Sequence, residues 1–296
     1  MTHKELTLKE IYQTDKKIVS LEFFPPRNED DLPSTFSLME SLAQYPIGFM
    51  SVTYGAMGNT RSLTREMVSF IHHRLQVPSV AHLTCVNHSV SDIDNILDGL
   101  AAWGIKNVLA LRGDPPKGQK GFVPHPEGFS SALELTQHIN QRGEFSVAVA
   151  GYPEVHPDAD SPQDDIEYLA KKVRAGADLV ITQLFFSPEV YFSFVEKARG
   201  LGITVPIVPG IMPIRNLKQL DKIVRMCGAT IPPDLRKALG ELQGRSKEIE
   251  RFGIQYGTQL CQDLLKGGAP GIHFFTLNRS RQVQEIIRNL EDWIRS

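Results

Sequence analysis

Leu21-Glu22-Phe23-Phe24-Pro25-Pro26 sets a single carboxylate among apolar side chains, just ahead of two prolines. Burial disfavours a charge, so Glu22 is a candidate to stay protonated near neutral pH and to donate its proton as a general acid. The ordinary alternative is an edge glutamate paired with a lysine or arginine. Other groups fit for chemistry recur along the chain: Thr53-Tyr54, His82, Arg112-Gly113-Asp114, Tyr152-Pro153-Glu154-Val155-His156, Gln183, and His273 with Arg279. Glu22 and Asp114 could form a glycosidase pair, yet only Trp103 and Trp293, both in helix-like stretches, are there to stack on a sugar. A Schiff base needs a lysine among these groups, and none is present. His82, His156 and His273 could converge on a metal, which spacing alone leaves open, whereas the adjacent His72-His73 in a helix point about 100° apart.

Each of these groups ends an apolar stretch. Lys16 to Phe24 reads as a strand that the proline pair stops, because proline has no donor for a sheet ladder. A helix over Asn28 to Gln44 follows, then strands at Gly48–Thr53, Val80–Thr84, Asn107–Leu111, Phe145–Ala150, Leu179–Leu184, Val205–Gly210 and Gly271–Thr276, with a helical segment after each. The run Asn107-Val108-Leu109-Ala110-Leu111 has the composition of a strand buried on both faces. Eight strand–helix units, with two helical segments between Pro232 and Leu265, give the pattern of a (β/α)8 barrel, whose chemistry belongs at the carboxyl ends of its strands. The rival is a doubly wound sheet, but no Gly-x-Gly-x-x-Gly follows any strand. In Gly113-Asp114-Pro115-Pro116-Lys117-Gly118-Gln119-Lys120, Gln119 stands where a phosphate loop needs lysine.

The chain has 296 residues, enough for one large barrel, and a formal charge of -2. Interspersed charge leaves no basic stripe for nucleic acid and no polybasic patch for a membrane. Three well-separated cysteines, Cys85, Cys227 and Cys261, fit neither a disulfide framework nor a zinc site. The expectation is one catalytic barrel over 1–296, with 1–15 a polar leader or helix. It is expected to be cytoplasmic and homo-oligomeric, with small molecules rather than nucleic acid or membrane as partners and no resident metal.

Taken in order, Glu22-Phe-Phe-Pro-Pro, Ser51-Val-Thr-Tyr-Gly-Ala, His82-Leu-Thr-Cys, Ala110-Leu-Arg-Gly-Asp114, Tyr152-Pro-Glu-Val-His-Pro, Ile181-Thr-Gln-Leu-Phe-Phe, Pro209-Gly-Ile-Met-Pro and His273-Phe-Phe-Thr-Leu-Asn-Arg279 resemble the methylenetetrahydrofolate reductase family in its bacterial form, a catalytic domain alone. The resemblance implies a (β/α)8 barrel that holds FAD without a Rossmann motif. It also implies ping-pong chemistry in one-carbon metabolism. NADH or NADPH passes hydride to flavin N5 and leaves, and methylenetetrahydrofolate then takes its place and becomes 5-methyltetrahydrofolate. By position, Glu22 is implied as the general acid that helps open the folate ring, and Asp114 as the carboxylate beside flavin and pterin. Tyr54, Ala56, His82, Arg112, Gly113, Asp114, Ser130, Tyr152, His156, Ala159, Asp165 and Lys172 fall on FAD-contact positions. Arg112 and Lys172 have the charge a phosphate or ribose-phosphate wants. Thr53, Asp114, Gln183, Gln219 and Arg279 fall on substrate positions. Ile223, Tyr168, Phe129-Ser130 and Ala56-Met57-Gly58-Asn59-Thr60 depart from the family pattern and bear on nicotinamide preference. Two other classes stay open from the residues: a flavin-free folate barrel that passes a methyl group to a corrinoid partner, and a non-catalytic flavin or folate binder.

Overall fold

The computed structural model describes residues 5–54, 59–115 and 121–294. In chain order they form α1 (Leu8–Ile11), β1 (Ile18–Phe23), α2 (Leu32–Ala43), β2 (Ile47–Val52), α3 (Asn59–Ser69), β3 (Ser79–Thr84), α4 (Val90–Ala102), β4 (Asn107–Leu111), α5 (Ala132–Arg142), β5 (Ser146–Gly151) and α6 (Pro162–Arg174). There follow β6 (Leu179–Leu184), α7 (Pro188–Gly200), β7 (Ile207–Ile211), α8 (Leu217–Cys227), α9 (Pro233–Glu241), α10 (Ser246–Lys266), β8 (Gly271–Phe275), α11 (Arg281–Asn289) and α12 (Glu291–Ile294). The strands pair in parallel from β1 to β8, and β8 closes on β1, so the sheet is the expected (β/α)8 barrel. A strand's side chains alternate between faces, and that alternation sorts this sequence. Val19, Leu21 and Phe23 of β1 pack outward with Met39, Met67 and Ile286 of the helix layer, while Ser20 and Glu22 point into the barrel. The carboxylate is therefore not wrapped by its chain neighbours Leu21 and Phe23, as expected from the linear sequence. Its surroundings come from other strands.

The lower interior is apolar, with Phe49, Val80, Leu109, Ala148, Leu179, Ile181 and Val208 packed against Leu8 and Ile11 of α1. Leu8–Ile11, the helical form of the expected leader or helix, thus stoppers the amino-terminal end of the barrel. Thr7 caps α1 in a reciprocal box with Glu10, and Leu8 N donates to Asn107 Oδ1 at 2.7 Å. Glu5 is 2% exposed: its Oε1 accepts from Ser79 N, Ser79 Oγ and Asn107 Nδ2 at 3.0, 3.2 and 3.1 Å, and its Oε2 meets His72 Nδ1. Burial pushes the Glu5 carboxyl up to about 7, against the pull of Ser79 and Asn107.

Local differences from the sequence reading have local causes. β7 begins at Ile207 because Pro206 lacks an N–H, although its carbonyl still accepts from Val180 N at 2.9 Å. Phe70–Leu75 closes the third helical segment as a π-turn, and Gln76 leaves it at a φ of 55°. Among the described residues no helix is long and apolar enough to cross a membrane.

Candidate active site

At the carboxyl end of β1 the Glu22 side chain is only 8% exposed, and its Oε2 lies 3.5 Å from His82 Nε2 and 3.7 Å from His273 Nε2. Each histidine arrives from an inward position, on β3 and β8. Neither Nε2 has a hydrogen bond, so both face the carboxylate at ion-pair rather than hydrogen-bond distance, a spacing that ligand binding can tighten. Burial pushes the His82 pKa down to about 4, more than the nearby Glu22 raises it, so this ring is neutral at pH 7. Ser20 Oγ sits 2.8 Å from His273 Nδ1 and only 3.5 Å from the Ile272 carbonyl. The shorter contact orients the imidazole with its Nε2 toward Glu22. Phe49 stacks on His273, and Phe275 meets it edge-on. Among the described residues Glu22 has no lysine or arginine partner within 4.0 Å, so it is not the edge glutamate of an ordinary ion pair.

The backbone around Glu22 is pinned from β8. Thr276 donates to the Glu22 carbonyl through both N–H and hydroxyl, at 3.2 and 2.6 Å. Asn278 exchanges two hydrogen bonds with Phe24, made possible by left-handed φ values of 51° and 52° at Leu277 and Asn278. Gly210 of β7 has no room for a Cβ, which would lie 2.2 Å from the Thr182 carbonyl and 2.6 Å from the Phe275 ring.

The other expected site residues lie on the loops that leave the strands, on β6 (Gln183), or on the helices that follow (Asp165 and Lys172 on α6, Gln219 on α8). The Thr53 carbonyl accepts from Thr64 Oγ1, and the Tyr54 hydroxyl pairs with His88 Nε2 at 2.9 Å. Arg112 pairs with Asp158 at 2.7 Å and lies over the Phe122 ring. Gly113 has a φ of 87° and a hypothetical Cβ 2.6 Å from Val86, so only glycine turns the chain there. Asp114 is exposed, and it adds to the burial that pushes the Tyr152 phenol up to about 12. Tyr152 packs edge-on against His156, whose pKa is lowered by burial and then by Arg112. Asp165, raised by burial, accepts from His156 N, while Ala159 N donates to the His156 carbonyl.

Lys172 is not extended as a free cation. Its ammonium donates to the Ala150 carbonyl at 2.6 Å and lies over Tyr168, and burial brings its pKa down to about 8. Gln183 turns its Oε1 back onto Leu184 N at 2.9 Å. Gln219 has a buried Oε1 without a partner. Arg279 is exposed beside Arg215, whose pKa is lowered by burial and by that neighbouring charge. Ser130 donates to Glu134 at the start of α5, away from the Glu22 cluster in its contacts. Ile223 is half-buried on α8, and Ala56 lies outside the described residues. No group of three or more His, Cys, Asp or Glu among the described residues could hold a metal ion. The linear reading passed over Ser20 and His88. Ser20 had a signal, since it stands two residues before Glu22 and so shares its face, whereas nothing in the order of residues pairs Tyr54 with His88.

A closed barrel with an acid buried between two imidazoles at its carboxyl end defines a (β/α)8 protein of the kind that does its work at the strand ends. The methylenetetrahydrofolate reductase family model matches residues 7–291, and the chain belongs to that family. It is 40% identical over 294 residues to methylenetetrahydrofolate reductase (NADH) 1 of Arabidopsis thaliana, covering 96% of this chain but 50% of the plant protein, so the chain spans about half the length of such relatives. With the 5,10-methylenetetrahydrofolate reductase of Pectobacterium carotovorum it shares 35% identity over 272 residues, 92% of this chain and 89% of that one. An uncharacterized Clostridium thermocellum protein, described as binding two copies of 5-methyl-5,6,7,8-tetrahydrofolic acid, shares the fold with a TM-score of 0.63 at 15% identity, covering 97% of this chain and 98% of its own.

Proposed function

We propose that this chain reduces 5,10-methylenetetrahydrofolate to 5-methyltetrahydrofolate with electrons from NADH or NADPH, carried by a bound FAD, and that the whole chain serves as one catalytic barrel. The observation that carries the reading is Glu22, a buried carboxyl facing two imidazoles with no cationic side chain against it among the described residues. Such a group can hold a proton at the barrel mouth and deliver it to a departing amine nitrogen, as opening the folate ring requires. His82 and His273 flank Oε2 from two sides, at 3.5 and 3.7 Å. Ser20 fixes the orientation of the His273 ring through its contact with Nδ1.

The residues around the mouth fit a flavin dinucleotide. Gly113 makes the left-handed turn that sets Arg112 and Asp114, Tyr54 and Tyr152 offer aromatic faces, His82 keeps an unpartnered ring nitrogen, and Arg112 and Lys172 supply positive charge. When bound, FAD supplies the two-electron carrier between nicotinamide and folate. Gln219, with its buried free acceptor, and Gln183 are the amides we assign to the pterin and its extension, with Thr53 toward the nicotinamide and Arg279 toward a carboxylate of the substrate.

The purified protein should be yellow, bleach anaerobically with one of the two nicotinamides, and recover its colour on adding methylenetetrahydrofolate. A colourless protein, or a bleached one that folate does not reoxidise, would overturn the reading. Asp114, exposed beside Tyr152, is assigned the fixed negative charge that favours electron release to a cationic folate. Asp114→Asn should therefore raise the flavin midpoint potential and slow folate reoxidation by about tenfold or more. A potential equal to wild type in a redox titration would remove that role.

A further inference from the structure

Val155 has a φ of 72°, a left-handed conformation that a β-branched residue seldom adopts. It stands in the loop after β5, and its two neighbours serve different partners. On one side both Glu154 carboxylate oxygens accept from Thr230 N, at 3.0 and 3.1 Å. On the other, His156 packs on Tyr152 and donates its backbone N–H to Asp165. The strained residue is the swivel between them.

Thr230 lies just past α8, which ends at Gly228 with a φ of 77°. A Cβ on Gly228 would sit 3.9 Å from the Val155 carbonyl and from Pro157, so the two loops touch. α8 packs lightly: Leu217, Ile223 and Val224 are only partly buried against the cluster that holds Leu220 and Cys227. Of its 11 residues only Leu220 and Cys227 are buried, and Met226 is 72% exposed. Its start is fixed by the Asn216 cap and by Gln282 Nε2 donating to the Ile214 carbonyl at 2.8 Å. Asp221 ties its flank to Arg236 of α9. At the far end Cys227, Ala229 and Ile231 pack into an apolar cluster with Leu235 and Leu239 of α9, and the exposed Thr230 between them is held through Glu154.

We propose that Glu154 is a positioning residue, a clasp on Thr230 that sets where α8 stands over the strand ends and so ties the helix bearing Gln219 and Ile223 to the loop bearing Tyr152 and His156. Its kinetic consequence rests on the folate-reductase reading, whereas the clasp itself can be tested without ligand. A glutamate that merely solvates its loop would leave α8 unchanged on truncation.

The test compares the full chain with Glu154→Ala and Glu154→Gln. In hydrogen exchange of the unliganded protein, the alanine variant should exchange amides of α8 and Thr230 about tenfold faster while α10 and β5 keep wild-type rates, with glutamine, which retains one acceptor, in between. Wild-type exchange at α8, or faster exchange throughout the barrel, would overturn the clasp. In steady-state assays Glu154→Ala should raise the folate KM about five- to tenfold, with kcat within about twofold and FAD content unchanged. A parallel fall in kcat and FAD content would overturn the positioning role. Faster exchange at α8 with an unchanged folate KM would uphold the clasp and refute the assignment of Gln219 to folate. A wild-type protein that reduces no folate would refute the reductase reading and leave the exchange result to judge Glu154.

Discussion

Glu22→Gln should leave reduction of the bound flavin by nicotinamide near the wild-type rate and slow the folate half-reaction by about 10² to 10⁴, roughly 3 to 5 kcal/mol of barrier. Glutamine fills the same volume and still offers an oxygen to His82 and His273, so the change removes the deliverable proton and little else. Stopped-flow separates the two halves, since each leaves the flavin in a different colour. The nicotinamide half needs no proton from the protein, whereas ring opening does. Equal losses in both halves would make Glu22 a structural carboxylate and end the assignment. His82 cannot take over as the acid: with a pKa near 4 it carries no proton to spare above about pH 6.

Glu5→Ala has the largest expected effect on stability. It strips the acceptor from Ser79 N, Ser79 Oγ and Asn107 Nδ2 and leaves His72 facing a void at the closed end of the barrel. Unpaired buried donors make the loss about 3 kcal/mol, or a Tm lower by roughly 5 °C in a calorimeter. The pH dependence has a definite sign. The Glu5 pKa is raised in the fold, so its contribution is complete below the unfolded value of 4.5 and is lost as pH rises through about 7. Glu5→Gln cannot ionise. The stability gap between wild type and Glu5→Gln, measured in urea, should therefore narrow between pH 5 and 8. A gap that widens would show the carboxylate, not the acid, to be the stabilising form.

The fold was largely legible because its signals are local. Asn107–Leu111 and Leu179–Leu184 match their strands end for end, since an apolar run bounded by turns leaves little choice. Boundaries shifted where a backbone constraint outweighed composition, as Pro206 did for β7. For the first residues the sequence left a polar leader or a helix open, and Leu8–Ile11 is helical. Glu5 is polar because buried strand ends need an acceptor, and only the closed barrel creates that need. Lys172 was legible as a charge, but not that its ammonium donates to a carbonyl of β5, a contact only the fold creates.

The candidate site divides along the same line. Residue order alone determined that polar groups stand at the ends of nearly every strand, that Ser20 and Glu22 share a face, and that the segments match one family in sequence. Alternation along a strand is a property of consecutive residues, so the chain carries it openly. Only the tertiary structure decided that Glu22 meets His82 and His273 rather than its own Leu21 and Phe23, that the first residues stopper the barrel, and that Glu154 reaches α8. Those contacts depend on closing β8 against β1 and on loops crossing between units far apart in the chain. No local pattern encodes them, because the sheet's curvature and the helices packed outside it choose which strand ends become neighbours.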